Sequence, residues 1–301
     1  MAKHGSCNSK SSVKTPEVTR ALDARLSQRY DEFERLYSSV RKKLRPGAVH
    51  DLRSSSRRLI AALDLFEPLE IPVKTARARR ELKDLLHALS ELRNLQVGQR
   101  RVRSESSSKD SGEFLRILKK QERHEKKIAR RAIQEFNSKF VRKQVTELCQ
   151  FIEKASVLEP DFEAKVRGLC TQHLRALYGR IDEAVQAVPK KNPPPAPIHQ
   201  VRIRFKQFRY AWEFVAPNLR GAKSVNQALR KFQNFLGGIQ DLHVLLAFLV
   251  QASPGKLNPY ARTLARKQRA MIENFHAVYP PILSKFRAPL SRGVQPGGIH
   301  P

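Results

Sequence analysis

Apolar residues recur at steps of three and four along most of the chain, which is typical of amphipathic helices. Clusters rich in proline and glycine interrupt the periodic segments, and no segment alternates with a period of two. The pattern predicts an all-α protein of eight segments, including one continuous helix over residues 113–155. The first apolar stripe comprises Leu22, Leu26, Tyr30, Phe33, Tyr37, Val40 and Leu44. The predicted breaks fall at 45–47, 67–72, 104–112, 157–161, 188–197, 216–221 and 253–259.

The order of the segments repeats within the chain. Residues 49–68 align without a gap on 198–217, and residues 82–97 align on 229–244. These collinear matches predict duplication of a four-helix unit, with one half at 16–156 and the other at 160–287. Residues 1–15 are predicted to be a disordered basic tail and 288–301 a flexible tail. A weaker match pairs Arg116, Lys120 and Arg123 with Arg262, Arg266 and Arg269.

Each of the two best-matched segments carries a second, cationic stripe beside its apolar one. On a helical wheel of about 100° per residue the two stripes are centred roughly 120° apart. A solvated charged face would lie opposite the core and would carry carboxylates, whereas almost none lies on these stripes. Cations in that position are expected to converge on a groove between helices, where an anion would relieve their repulsion. The stripes comprise His50, Arg53 and Arg57 in the first half and His199, Arg202, Lys206 and Arg209 in the second.

The charge balance supports an anionic partner but does not select one. The chain of 301 residues has 58 Lys and Arg against 28 Asp and Glu, a formal net charge of +30. Such an excess is typical of proteins that bind nucleic acid, an anionic membrane face or condensed phosphate. No signal segment is predicted, and the apolar run at 244–250 is too short for a membrane span. With three widely separated cysteines, Cys7, Cys149 and Cys170, the expected location is the cytoplasm.

Two further rows of cations are open to two interpretations. Arg116, Lys120, Arg123, Lys127 and Arg130 form one row, and Arg262, Arg266 and Arg269 form the other. They either extend the binding groove or form solvated faces, the latter because Glu122 and Glu125 lie close to the first row. His50 and His199 stand at predicted helix starts, where they either bind an anion or hydrogen-bond their own helix end.

Signatures of catalysis and of metal binding are absent from the sequence. The motifs GxxxxGK[ST], GxGxxG after a strand, GxSxG and HExxH do not occur. The His and Cys residues lack metal-ligand spacing, and carboxylates are sparse on the matched helices. The prediction is a protein without enzymatic activity, cofactor or metal; a cryptic phosphatase is the alternative that these absences argue against.

The segments at 48–63 and 197–214, supported by 89–97 and 236–244, resemble the CHAD domain, the conserved histidine α-helical domain. Both begin with a His-x-x-Arg helix, and the resemblance covers residues 16–287. It implies two four-helix bundles related by a pseudo-two-fold axis, with a basic central pore. It also implies binding of inorganic polyphosphate, location at polyphosphate granules and contact with polyphosphate-metabolising enzymes. The residues it assigns to binding are His50, Arg53, Arg57 and Arg58 in the first half and His199, Arg202, Lys206, Arg209 and Tyr210 in the second.

The chain departs from the family pattern at several positions. Ile60 stands where an arginine is frequent, and it aligns with Arg209 of the second half. Asn94 and Gln96 stand where the family often has an aspartate pair, while the second half has Asp241 and His243. We therefore expect the first half to contact phosphate less fully. The second hypothesis for function is a basic helical protein that binds nucleic acid.

Overall fold

The computed structural model describes residues 17–69, 72–105, 109–215, 222–252 and 259–280, and within these ranges the chain forms helices and no strand. The all-α prediction is confirmed. The calls on the tails, 1–15 and 288–301, lie outside the described residues. The helices are α1 (Glu17–Lys42), α2 (Pro46–Leu65), α3 (Thr75–Ala88), α4 (Ser90–Glu105), α5 (Lys109–Glu135), α6 (Ser138–Leu158), α7 (Phe162–Gln186), α8 (Pro195–Val215), α9 (Ala222–Ala252), α10 (Pro259–Glu273) and α11 (Phe275–Val278).

Among the described residues, three breaks between helices were not predicted from the sequence, and the last of them separates α10 from α11 at Asn274. The continuous helix expected over 113–155 is divided, because α5 ends at Glu135 and α6 begins at Ser138. Asn137 stabilises the new start, since its side chain accepts a hydrogen bond of 3.0 Å from the backbone N–H of Phe140. The second boundary separates α3 from α4 at Leu89, within the segment 82–97. Apolar periodicity alone does not reveal either of these two breaks, because the stripe continues across it.

Two hydrophobic cores hold the helices together. The larger one runs from the apolar stripe of α1, through Phe33, to the buried face of α8, which includes Phe205 and Trp212. The smaller core joins α4 and α5 to α9 and α10 through residues such as Leu118 and Leu245. Both cores therefore combine side chains of the two predicted halves.

The pattern of helix contacts is compatible with the predicted duplication. In the first half α1 packs on α2 and α2 on α3, and in the second half α7 packs on α8 and α8 on α9. Between the halves, α2 contacts α8 and α4 contacts α9. The two repeated His-x-x-Arg helices are thus neighbours, and their cationic stripes border the same space between them.

Glu163 at the start of α7 ties the first helix to the second half. Its carboxylate accepts hydrogen bonds from the backbone N–H groups of Val18 and Thr19, at 3.0 and 3.1 Å. These donors lie in the first turn of α1, where backbone N–H groups lack partners within the helix. A carboxylate here also interacts favourably with the helix dipole.

We predict that Glu163→Ala lowers the free energy of unfolding by about 1–2 kcal/mol, the usual cost of losing a helix cap. The loss should appear in thermal unfolding followed by circular dichroism. Glu183→Ala is the matched control, since Glu183 is an exposed carboxylate near the other end of the same helix. Equal unfolding temperatures for the two variants would contradict the capping role.

Within the described ranges, no helix combines the length and the apolar content that crossing a membrane requires.

Candidate functional site

A large cavity lies between the two halves of the chain, with a volume of about 1720 Å³. Its walls come from α2, α3 and α4 of the first half and from α7, α8 and α9 of the second. Along α2 it extends from His50 to Asp64, which is about 21 Å at 1.5 Å per helical residue, and it continues beyond the end of the helix to Glu67. A cavity of this length fits an extended ligand.

Seven basic side chains line one part of the cavity and form what we call the central cluster. It contains both stripe histidines and residues from three helices, α2, α4 and α8. Arg53 is buried, His50 is exposed and the others are partly buried. The sequence had placed six of the members on two separate helices, and the packing of α2 on α8 brings them together. The central cluster comprises His50, Arg53, Arg57, Arg93, His199, Arg202 and Lys206.

Lys206 is the most perturbed member of the central cluster. Burial, together with the nearby charges of Arg202, Arg57 and Arg53, lowers the pKa of its ammonium group to about 6. Asp241 acts in the opposite direction. Since the ordinary value is 10.5, Lys206 is largely uncharged at neutral pH in the empty cavity. The cluster can therefore take up a proton together with an anion.

The pKa values of other members of the central cluster are lowered as well. Burial lowers the pKa of Arg53 to about 9, with contributions from Arg57 and Arg93. Burial also lowers the pKa of Arg202 and of both histidines. For His199 a hydrogen bond with the Gln240 side chain acts in the opposite direction. The shared and largest cause is burial, and the neighbouring cations add to it.

Asp241 is a carboxylate that faces the central cluster. Burial raises the pKa of Asp241, whereas Arg202, Arg101, Lys206 and Arg93 oppose that shift. Its carboxylate lies 3.9 Å from the Arg101 guanidinium. Asp51 of α2 also acts on His50 and Arg93. Two carboxylates among seven basic side chains leave most of that charge uncompensated.

Arg53 and Arg202, which align in the repeat, have different surroundings. Arg53 donates hydrogen bonds to the backbone oxygen of Leu86 and, at 3.0 Å, to the hydroxyl of Ser90. It thereby stabilises the turn between α3 and α4. The Nε of Arg202 is buried and has no hydrogen-bond partner among the described residues. Arg202 is therefore the better placed of the two to bind a ligand.

Three of the predicted binding residues, Arg58, Arg209 and Tyr210, line the cavity, and the two arginines form ion pairs with Glu213. The carboxylate of Glu213 lies 2.9 Å from the Nε of Arg209 and 3.5 Å from the Nε of Arg58. Arg209 also donates to Gln233 at 2.6 Å, and its guanidinium lies over the ring of the buried Tyr210. Almost no carboxylate was expected on the second stripe, and at this end Glu213, one helical turn after Arg209, supplies one. The Arg58–Glu213 pair joins α2 to α8, and the hydrogen bond from Arg209 to Gln233 joins α8 to α9.

The rest of the cavity contains basic residues that the sequence analysis missed. Arg79 is buried and paired with Asp64 at 2.6 Å and with Glu67, so its charge is compensated. Four exposed cations also line this region and make no ion pair with a described residue; they are Arg80, Lys83, Arg180 and Arg230. The repeat offset of 147 pairs Lys83 with Arg230, a signal that could have found both.

The two further rows of cations do not line the cavity. In α5 the side chains of Arg116, Lys120 and Arg123 are exposed, and so are those of Arg262, Arg266 and Arg269 in α10. None of these six side chains lines the cavity. Within the described residues, no three His, Cys, Asp or Glu side chains lie together as a metal-binding group would.

Comparison with known proteins agrees with this architecture. The CHAD domain family model matches residues 24–250, and the chain belongs to that family. A solved structure with a similar fold is the CHAD domain of the plant Ricinus communis, with a TM-score of 0.61, 21% identity and 92% coverage of each chain. Another is PptA from Streptomyces chartreusis, with a TM-score of 0.60 and 20% identity over 89% of this chain and 99% of that one. No curated protein matches the chain.

Proposed function

We propose that this CHAD-domain protein binds inorganic polyphosphate in the cavity between its halves and does not chemically alter it. The observation that carries the proposal is the central cluster, in which seven basic side chains face two carboxylates, Asp51 and Asp241. Phosphate oxygens would supply the missing negative charge, and the planar guanidinium of arginine can donate two hydrogen bonds to one phosphate. The length of the cavity favours a linear chain of phosphates over a single small anion.

The arrangement of carboxylates supports binding without catalysis. Asp64 and Glu67 are engaged by Arg79, and Glu213 is engaged by Arg58 and Arg209. Asp241 stands among Arg101, Arg202 and Lys206. Carboxylates held by cations in this way are poorly placed to bind the Mg²⁺ that phosphoryl transfer requires. Incubation with polyphosphate and Mg²⁺ or Mn²⁺ should release no phosphate, and steady release would contradict this part of the proposal.

Nucleic acid is the competing ligand, because a net charge of +30 attracts any polyanion. The aromatic residues that could stack on bases, Tyr210 and Trp212, are buried at 6% and 1% exposure. The uncompensated cations of the central cluster lie in a cavity between helices, where a duplex does not fit. Recognition by phosphate alone therefore favours polyphosphate.

We predict that labelled long-chain polyphosphate stays bound when duplex DNA or RNA is added at matched phosphate concentration. Unlabelled polyphosphate should displace it, and raising the salt concentration should weaken binding steeply because counterions are released on association. Fluorescence anisotropy measures the displacement. Efficient displacement by duplex DNA would overturn the proposed ligand.

A polyphosphate-binding role further implies location at polyphosphate granules and contact with enzymes that make or degrade polyphosphate. Both follow from the ligand and belong to the same proposal.

A further inference from the structure

A row of exposed cations runs along α5, on a different surface from the cavity. We call it the outer stripe; it consists of Arg116, Lys120, Arg123, Lys127 and Arg130, and all five side chains are exposed. At about 100° per residue the five positions fall within about 80° of one another. The row is about 21 Å long at 1.5 Å per residue.

The direction of the outer stripe follows from the apolar residues of the same helix. Leu118, Ala129 and Ile133 are buried, and on the wheel they lie about 100–160° from the centre of the stripe. All five stripe side chains are exposed and none of them lines the cavity, whereas the cationic stripes of α2 and α8 do line it. The outer stripe therefore faces solvent and cannot reach a ligand held in the cavity.

The acidic residues of α5 do not compensate the outer stripe. Glu122 accepts from Gln99 at 2.9 Å and pairs with Lys126 at 2.9 Å, which holds it on the side that faces α4. Glu125 lies on the same side of the wheel as Glu122. None of the five stripe residues forms an ion pair with a described carboxylate. Like charges three or four residues apart destabilise a helix because they repel one another. An anion bound along the row would remove that repulsion.

We propose that the outer stripe binds a second segment of polyphosphate, so that one long chain links several copies of the protein. This inference rests on the proposed function of the cavity. The two binding surfaces lie apart on the molecule, so a chain longer than the cavity can engage the cavity of one copy and the outer stripe of another. The outer stripe consists of arginine and lysine, without an aromatic ring that could stack on a base, which favours a chain of phosphates over a ligand with bases. Linkage of this kind raises apparent affinity without any new contact.

The test compares two variants that each lose three exposed cations. The stripe variant is Lys120→Gln/Arg123→Gln/Lys127→Gln, and the control is Lys139→Gln/Lys154→Gln/Lys165→Gln, whose residues lie on α6 and α7. Calorimetry measures the affinity for short polyphosphate that fits in the cavity. Light scattering measures the protein concentration at which long-chain polyphosphate forms large assemblies.

Both variants should bind short polyphosphate as the wild-type protein does. With long chains, the stripe variant should need about tenfold more protein to assemble, as the loss of three exposed charge contacts would give. Equal assembly by the stripe variant and the control would overturn the inference while leaving the cavity site intact. Failure of the wild-type protein to bind short polyphosphate would instead overturn the proposed function. A stripe variant that loses duplex DNA binding but assembles normally with polyphosphate would reassign the stripe to nucleic acid.

Discussion

Replacing Arg57 and Lys206 by methionine should weaken polyphosphate binding by at least about 100-fold, since each hydrogen bond to a charged group contributes about 1.5–3 kcal/mol. The two residues occupy equivalent positions in the two halves and meet in the central cluster. Neither makes an ion pair with a described residue, so their removal leaves no carboxylate without a partner. Titration calorimetry measures the loss.

The same double variant should be more stable than the wild-type protein when the cavity is empty. Burying a basic group beside other cations destabilises the fold, either through repulsion, as for Arg57, or through loss of the proton, as for Lys206. An apolar side chain of similar size removes that cost. We expect a gain on the order of 1 kcal/mol in the free energy of unfolding. A variant that loses both binding and stability would indicate a structural role instead. Lys139→Met/Lys165→Met is the matched control, because it removes two exposed lysines far from the cavity lining.

Lys206 also gives the empty protein a defined dependence of stability on pH. The pKa of Lys206 is about 6 in the folded state and 10.5 ordinarily, so between these values the unfolded chain binds one proton more than the folded chain. The contribution of Lys206 to stability therefore rises with pH across that window. Lys206→Met should remove this contribution, which unfolding measurements at several pH values would detect.

Polyphosphate binding should strengthen as the pH falls. A bound anion favours the charged forms of Lys206, His50 and His199, so it raises their pKa values and binding takes up protons. The groups that face Lys206 are Arg53 and Arg57 of α2, Arg202 of α8 and Asp241 of α9. For Lys206 the effect begins near pH 6 and extends upward to the pKa that it reaches in the complex. As the pH rises, affinity should decrease by up to about tenfold per pH unit for each group that loses its proton in that range.

Calorimetry in buffers with different heats of ionisation counts the protons taken up. The count at neutral pH should fall in Lys206→Met, while His50→Asn and His199→Asn should change it chiefly below neutral pH because burial lowers both histidine pKa values. Equal affinity at about pH 5.5 and about pH 8.5 would show that none of these groups titrates with binding.

Much of the fold could be predicted from the periodicity of apolar residues. The local pattern predicts the helices and most of their breaks, because proline, glycine and the spacing of apolar residues determine the structure of the segment that contains them. The same pattern pairs His50 with His199 in the repeat. The break at Asn137 could not be predicted in this way, since the apolar stripe continues through it. Its cause is a single capping side chain.

The candidate site was predicted less completely than the fold. A helical wheel gives the direction of a side chain relative to its own helix, and it correctly placed Arg202 and Lys206 beside the apolar stripe. It does not show which neighbouring helix completes the site, so Arg93 of α4 and Arg180 of α7 were missed. For the same reason it did not reveal that Glu213 binds Arg58 from the other half.

The contacts of α2 with α8 and of α4 with α9 pair each segment with its own repeat. An isologous homodimer has contacts of this kind, and there every residue at the interface occurs twice. In a single chain the two halves can carry different residues at equivalent positions. Here Asp241 faces the central cluster, while its counterpart Asn94 carries no charge. Polyphosphate has identical ends, whereas the cavity does not. The chain should therefore rest in one preferred register, shifted away from Asp241.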